Sequence, residues 1–483
     1  MSKWIRSIMQ RTWNRTKIVC TIGPSSSDPP VVERMLEAGM DVARLNFSHG
    51  THDDHARMIE TLRRVSDRRR APLAVLMDLQ GPRIRIGRFR RGGAVLEKGQ
   101  PFTLTARDIP GDGRAVSTSY ASISSDVHPG DIIMLADGNI ELVVDKIEGE
   151  DVHTWVLVGG TLTDHKGMNI PNVPLSVRTI TEKDVLDIRF GVRLGVDYIA
   201  LSFVRGGEDV REARRTAVEA GGKAGIIAKI ERPEALACLD AIAGCSDGIM
   251  VARGDLGVEL HPEEVPIAQK KIIRKANEFG IPVITATQML ASMVESTRPT
   301  RAETSDVANA ILDGTDAVML SEETAAGKHP VEAVMMMSKI ASRVEEELPP
   351  WRRDLPAAMS GPSRVQPAVS EAAARLAEET GARWICAFTR SGRTALSVSR
   401  GRPKVPILGL TPDPGTFRKL GLLWGVEPVL MDEFEDLGAM TRLLDDQLKK
   451  REGAAPGDEV VIVAGYPFGS DVHSNMVFIH AVR

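Results

Sequence analysis

Eight short apolar runs, recurring at intervals filled by helical-looking segments, constrain this chain more than anything else in it. They are KIVCTIG (17–23), VARLNF (42–47), LAVLMD (73–78), YIALSF (198–203), GIIAKI (225–230), GIMVAR (248–253), PVITAT (282–287) and AVML (317–320). None alternates polar and apolar residues as a one-sided sheet does, so each reads as a strand buried on both faces. Segments such as PEEVPIAQKKIIRKANEFG (262–280) carry the 3.6-residue period of helices packed over such strands. Strands and helices in this order imply a (β/α)8 TIM barrel.

The barrel pattern holds only if residues 83–178 are set aside. That stretch loses helical periodicity and carries turn signals (IPGDG, HPGD, ADGN, KIEGED) between short strands such as IELVVDKI and TWVLVGG. It is expected to be a small all-β lid domain inserted between the third and fourth barrel strands. With 483 residues, the chain exceeds what one core supports at roughly 100–200 residues per domain. The expected layout is a first barrel part (1–82), the β lid (83–178), a second barrel part (179–348) and a C-terminal open α/β domain (349–483). The last begins at the proline-rich linker LPPWRRDLP (348–356) and alternates helices with WICAFT, VPILGL, EVVIVAG and MVFIHAV.

Composition narrows the function classes. A net charge of −4, from 61 basic and 65 acidic residues, gives no electrostatic footprint for nucleic acid. The basic cluster Arg63, Arg64, Arg68, Arg69 and Arg70 is interrupted by Asp67 and reads as solvated surface. No run approaches the roughly 18 apolar residues of a membrane span. Cys20, Cys238, Cys245 and Cys386 form no CxxC pair, so neither a disulfide framework nor zinc is implied and a reducing, cytoplasmic setting is expected. The N-terminal MSKWIRSIMQRTWNR is basic and free of acids. It is read as a short helix entering the first strand, with an organelle-targeting segment as the competing reading.

In a barrel, residues at the C-terminal strand ends share one mouth. Strand two delivers Arg44, Asn46, Ser48 and His49, and strand three delivers Asp78. Strand five delivers Lys229 and Glu231, strand six Arg253, Gly254 and Asp255, strand seven Thr287 and Gln288, and strand eight Ser321, Glu322 and Glu323. Any one of these could be a junction cap or salt bridge, but so many charges buried together need partners or ligands. Glu231 and Asp255, on neighbouring strand ends, suit one hard cation such as Mg2+. Lys229 lies two residues before Glu231, on the same strand face. With Arg44 and Arg85 nearby it would neutralise phosphate and carboxylate oxygens. No Ser-His-Asp pattern appears, and the set suits phosphoryl transfer, which relies on electrostatics. With no Walker A motif present, a nucleotide must be closed over by the lid, which carries Arg85, Asp137 and Lys166. Near the C-terminus, Thr389, Arg390, Ser391, Gly392, Arg393 and Thr394 open a helix, where hydroxyls and backbone N–H groups suit a phosphate or cap the helix. The loop GYPFGSDVHSN (465–475) is placed to cover it.

The stretches KIVCTIGPSS, GMDVARLNFSHG, IIAKIE, GIMVARGDLGVEL, ATQMLASM, STRPTRAETSDVANAILDGTDAVMLSEETA and FTRSGRTA together resemble the pyruvate kinase family, in its order and across all three inferred domains. The resemblance implies transfer of the phosphoryl group of phosphoenolpyruvate to ADP, giving pyruvate and ATP in glycolysis. It assigns Lys229 to the transferring phosphoryl group, Glu231 and Asp255 to Mg2+ or Mn2+, and Gly254 with Thr287 to the phosphoenolpyruvate carboxylate. Thr287 also falls near the face where enolpyruvate is protonated. Arg44 would contact the phosphate, and Asn46, His49, Arg85 and Lys166 the nucleotide. The same resemblance implies a homotetramer and a sugar-phosphate or similar allosteric effector at residues 389–394.

One stretch departs from the common pattern. Potassium-dependent members read Asp-Thr-Lys-Gly-Pro-Glu where this chain has Asp78, Leu79, Gln80, Gly81, Pro82 and Arg83. In them the threonine, with the equivalents of Asn46, Ser48 and Asp78, binds K+. Leu79 offers no oxygen, and Arg83 brings a fixed positive charge in place of the ion, as a basic residue does in potassium-independent members. No K+ requirement is therefore expected. The competing readings are a Mg2+-dependent barrel lyase or aldolase acting on a pyruvate enolate, and a non-catalytic metabolite-binding paralogue.

Overall fold

The computed structural model describes residues 14–171, 173, 175–348, 365–451, 453–468 and 472–483. Most of the N-terminal segment, most of the linker LPPWRRDLP and residues 469–471 of the loop GYPFGSDVHSN lie outside the described residues. Eight parallel strands close into a barrel in sequential order. They are β1 (Lys17–Thr21), β2 (Val42–Asn46), β3 (Ala74–Asp78), β4 (Tyr198–Leu201), β5 (Gly225–Ile230), β6 (Gly248–Ala252), β7 (Val283–Ala286) and β8 (Ala317–Leu320). The reason they form is visible in the burial. Val19, Val42, Leu76, Tyr198, Ile227, Met250, Ile284 and Met319 fill the barrel interior. Their neighbours Ile18, Cys20, Leu45, Ile226 and Ile249 pack outward under the helices. At about 1.5–3 kcal/mol for each fully buried aliphatic side chain, only sequences apolar on both faces profit from this arrangement.

Several strands end earlier than their apolar runs. Phe203 and Thr287 leave the ladder with left-handed φ values of 56° and 75°. Arg253 opens a helix that runs to Glu259. In each case the regular strand ends as the chain turns at the mouth.

Between β3 and β4 the chain builds a separate six-stranded sheet in the order Met168–Asn169, Ile132–Leu135, Ile140–Glu148, Asp151–Val158, Pro101–Thr105, Ala115–Ser117. Gly93–Leu96 pairs apart with Gly160–Thr163. This unit has its own core, including Phe102, Leu104, Ile133, Leu142 and Val156. One short helix, Ile123–Asp126, interrupts the strands.

The C-terminal sheet runs β11-β10-β9-β12-β13, with β9 (Trp384–Phe388), β10 (Ile407–Thr411), β11 (Val426–Leu430), β12 (Glu459–Ala464) and β13 (Met476–Ala481). All pairs are parallel except β12 with β13. β11 has a proline at its centre, Pro428, which a sheet tolerates only because this strand lies at the edge. The domain seats on the N-terminal end of the barrel, away from the mouth. Leu422 joins the barrel's interior cluster, and the Tyr198 hydroxyl donates to the Lys419 carbonyl at 2.9 Å. Arg400 and Arg402, both buried, each donate to Asp316 at 2.9 Å, one residue before β8.

The basic cluster at the end of the helix His52–Arg69 is largely solvated, as expected: Arg64, Arg68, Arg69 and Arg70 are exposed and only Arg63 is partly buried. Arg63 reaches Asp197 at 2.8 Å and the Leu73 carbonyl at 3.0 Å, while Arg68 and Arg69 pair with Glu33. Asp197 and the Leu73 carbonyl explain why Arg63, alone of the five, is drawn inward.

Candidate active site

The mouth is built from strand ends brought into register by the barrel. Asn46 on β2 is the direct neighbour of Asp78 on β3, and Asp78 is the neighbour of Ala200 on β4. Asp78 is fully buried. Its carboxylate accepts from Arg44 Nε at 2.6 Å and lies 3.2 Å from Lys229 Nζ. Burial works against its charge, yet the Lys229 and Arg44 cations outweigh that and hold the carboxyl below the usual carboxylate range. Arg44 is fixed a second time by donating to Thr21 Oγ1 at 2.9 Å.

Lys229 reaches Glu231 Oε1 at 2.8 Å and Ser202 Oγ at 2.7 Å. Burial disfavours its ammonium, but the Asp78 and Glu231 carboxylates reverse this and raise the group above the ordinary lysine value. Glu231 is buried and accepts from the Phe203 backbone N–H at 2.6 Å. Burial, with Lys229 opposing and Asp255 adding like-charge repulsion, pushes its carboxyl up to about 7. Asp255, on the first turn of the helix Arg253–Glu259, makes no hydrogen bond or ion pair with any described residue. Among the described residues no group of three His, Cys, Asp or Glu side chains is placed to hold a metal. Two neighbouring carboxylates, Glu231 and Asp255, do fit one hard divalent cation that draws its remaining ligands from elsewhere.

Arg44, Asn46, Ser48, Asp78, Arg83, Lys229, Glu231 and Asp255 line one small pocket of about 80 Å³. A larger cleft of about 410 Å³ adjoins it under the lid, sharing Arg83, Phe203 and Asp255 and adding Arg85, Asp137, Lys166 and Glu259. The Arg83 guanidinium and the Lys166 ammonium have no partner among the described residues. Lid and barrel meet where Asn169 Nδ2 donates to Glu259 Oε1 at 3.1 Å, on the helix that carries Asp255. His49 is exposed on the turn after β2 and lines neither cavity; its carbonyl accepts from His55 Nε2 at 2.9 Å.

Gly254 and Thr287 meet closely. A Cβ on Gly254 would lie 2.7 Å from Thr287 Cγ2. Arg253 locks the same corner, donating to the Ala286 carbonyl at 3.0 Å, the Thr287 carbonyl at 2.6 Å and Asp306 at 2.7 Å. Gly254→Ala is expected to cost about 1–3 kcal/mol through overpacking, read by denaturant unfolding. Adding Thr287→Ser, which removes the opposing methyl, is expected to recover most of that loss; an additive double mutant defeats the steric account.

At the end of β8, Glu323 serves the backbone. Glu323 is buried and accepts the Leu290 and Ser321 backbone N–H groups at 3.0 and 2.7 Å. Conversely, Ser202 and Phe203 at the end of β4 contact the charged pair, although that strand is not among those expected to deliver site residues. The signal was present: its run ends on a serine at the depth where the other strands deliver their polar groups.

In the C-terminal domain the turn 389–394 caps the helix Arg393–Arg400 through Gly392, whose φ is 89° and whose N–H donates to Thr389 Oγ1 at 2.9 Å. Thr394 Oγ1 meets Ser474 Oγ at 2.7 Å, joining the turn to the loop after β12 beside a pocket of about 120 Å³. Arg390 is engaged with Glu433 at 2.8 Å.

Comparison with known proteins agrees with this architecture. A family model described as pyruvate kinase, barrel domain, matches residues 13–334, and one described as pyruvate kinase, alpha/beta domain, matches residues 367–480. The chain is 45% identical to pyruvate kinase 2 of Synechocystis sp. over 475 residues, 97% of this chain and 79% of that one. It is 44% identical to the pyruvate kinase of Corynebacterium efficiens over 466 residues, 96% of this chain and 97% of the relative. With the pyruvate kinase of Mycobacterium tuberculosis it shares 43% identity over 468 residues, 97% and 98% of the two chains. Barrel, inserted lid and C-terminal domain are all spanned by these matches, and the chain belongs to the pyruvate kinase family of phosphotransferases.

Proposed function

We propose that this enzyme transfers the phosphoryl group of phosphoenolpyruvate to ADP, giving pyruvate and ATP as a step of glycolysis. The observation that supports it most is the Lys229 ammonium, held between Asp78 and Glu231 beside an unpartnered Asp255 at the barrel mouth. Such a group stabilises charge on a transferring phosphoryl group because it is preorganised in a site that excludes water. Arg44, fixed by Asp78 and Thr21, is assigned to the phosphate. Glu231 and Asp255 are assigned to Mg2+ or Mn2+, which when bound supplies positive charge against the reacting oxygens. Gly254 and Thr287 are assigned to the phosphoenolpyruvate carboxylate, Thr287 also to the face where enolpyruvate is protonated. Asn46, His49, Arg85 and Lys166 are assigned to the nucleotide; all but His49 line the two cavities. Pyruvate release measured with lactate dehydrogenase, with and without ADP, tests the reading. ADP-dependent pyruvate is expected; ADP-independent pyruvate would favour a lyase, and none at all would favour a binding paralogue.

Independence from K+ belongs to the same proposal. Arg83 lines the pocket with Asn46, Ser48 and Asp78, while Leu79 is buried and presents only carbon. Its guanidinium is therefore available as the built-in monovalent charge. Full activity is expected in a tetramethylammonium buffer without K+ or Na+, and an absolute K+ requirement refutes the assignment. We also assign a phosphorylated activator to the pocket beside Thr389, Arg390, Ser391, Gly392, Arg393 and Thr394, and a homotetrameric, cytoplasmic state to the enzyme. Among the described residues no helix is long and apolar enough to cross a membrane.

A further inference from the structure

We propose that Ser202 is a positioning residue for Lys229, resting on the functional reading above. An ammonium has three N–H donors, and Lys229 meets three acceptors: Ser202 Oγ at 2.7 Å, Glu231 Oε1 at 2.8 Å and Asp78 Oδ1 at 3.2 Å. Two of these are anions with other commitments. Asp78 is shared with Arg44, and Glu231 is shared with the Phe203 N–H and with the divalent-cation site. Ser202 is the neutral member and is buried, with Asp78 Oδ1 a more distant acceptor for its hydroxyl at 3.5 Å. Its hydroxyl donates to the Leu79 carbonyl at 2.7 Å, which leaves a lone pair for Lys229. A third carboxylate here would hold the lysine as well but would cancel the charge that the phosphoryl group needs. A hydroxyl aims the ammonium and leaves its charge intact.

The backbone is shaped for this contact. Phe203 adopts a left-handed φ of 56°, so that Ser202 addresses Lys229 with its side chain and Phe203 addresses Glu231 with its N–H. Gly81 makes room for the bend. A Cβ there would stand 2.8 Å from Phe203 Cδ2 and 3.1 Å from Ser202 Cβ. A left-handed non-glycine residue persists only where its surroundings over-determine it, and here they are both charged residues and the glycine turn after β3.

The test is Ser202→Ala in the full chain. Loss of a hydrogen-bonded partner behind a charged functional group typically costs 10–100-fold, so kcat is expected to fall by about that factor with KM for phosphoenolpyruvate and ADP within about threefold. A second readout needs no turnover. The rate of acetic anhydride acylation at Lys229, followed by mass spectrometry, is expected to rise at least about threefold once the ammonium loses an acceptor. Ser202→Cys keeps the side-chain volume with a weak acceptor and is expected to lose kcat similarly, which keeps the test decisive if the alanine variant does not fold. A kcat within twofold of the parent protein in either variant, or an unchanged acylation rate, overturns the proposal. If the parent protein itself forms no ADP-dependent pyruvate, the functional reading falls while the acylation contrast still judges Ser202.

Discussion

Lys229→Met is expected to lower ADP-dependent pyruvate formation by about 10³-fold, a loss of about 4 kcal/mol of transition-state stabilisation. The methionine stem fills similar space, so what disappears is the charge between Asp78 and Glu231. Removing one partner of a buried ion pair ordinarily destabilises the fold. Two features limit that cost here. Asp78 keeps Arg44 at 2.6 Å, and Glu231, whose carboxyl already lies up at about 7, accepts a proton at little cost and becomes neutral. The variant should therefore fold, as a thermal midpoint close to the parent's would report, while steady-state turnover collapses. Undiminished turnover would remove Lys229 from the chemistry, and an unfolded variant would show that the pair is structural.

The second large effect lies far from the mouth. Asp316→Ala is expected to destabilise the seating of the C-terminal domain by about 3–5 kcal/mol, because it leaves two buried guanidinium groups without their carboxylate. The Asp316 side chain is 0% exposed, and those of Arg400 and Arg402 are 3% and 6% exposed. Burial holds the Arg402 guanidinium down to about 10 even with Asp316 present, a measure of how poorly water reaches it. Asp316 also accepts the Val283 N–H at 2.8 Å, which binds β7 to the same carboxylate. In a multidomain chain the readout is the shape of calorimetric unfolding rather than one midpoint. An earlier, separate transition for the C-terminal domain is expected, and a scan unchanged from the parent's would refute the clamp. The helix Arg393–Arg400 begins at the proposed effector turn and ends at this clamp, so the same variant should also weaken any coupling between effector and barrel.

The barrel was legible because its strands are apolar on both faces, a pattern with few other folded solutions. The site was legible in part for the same reason: once strand ends are located, their polar residues must share the mouth. Asp78, Lys229 and Glu231 met as that logic requires. The logic failed where local sequence does not say which neighbour a side chain will choose. Arg253 and Glu323 occupy equivalent positions yet spend their groups on backbone carbonyls and N–H donors. The edge strand Val426–Leu430 was obscured by its central proline, which is acceptable only because no strand pairs on its outer side.

What the sequence determined by itself is the chain's architecture and the inventory at its mouth: paired carboxylates and a lysine two residues from one of them. These follow from residue type, spacing and periodicity. The tertiary structure alone decided that Ser202 takes the third proton of Lys229, that Asp78 is shared between Lys229 and Arg44, that Asn169 of the lid ties to Glu259, and that Asp316 gathers two arginines from another domain. Each joins residues remote in the chain. Their meeting depends on strand register, barrel closure and domain seating, which the packing of the whole core sets and no local stretch encodes.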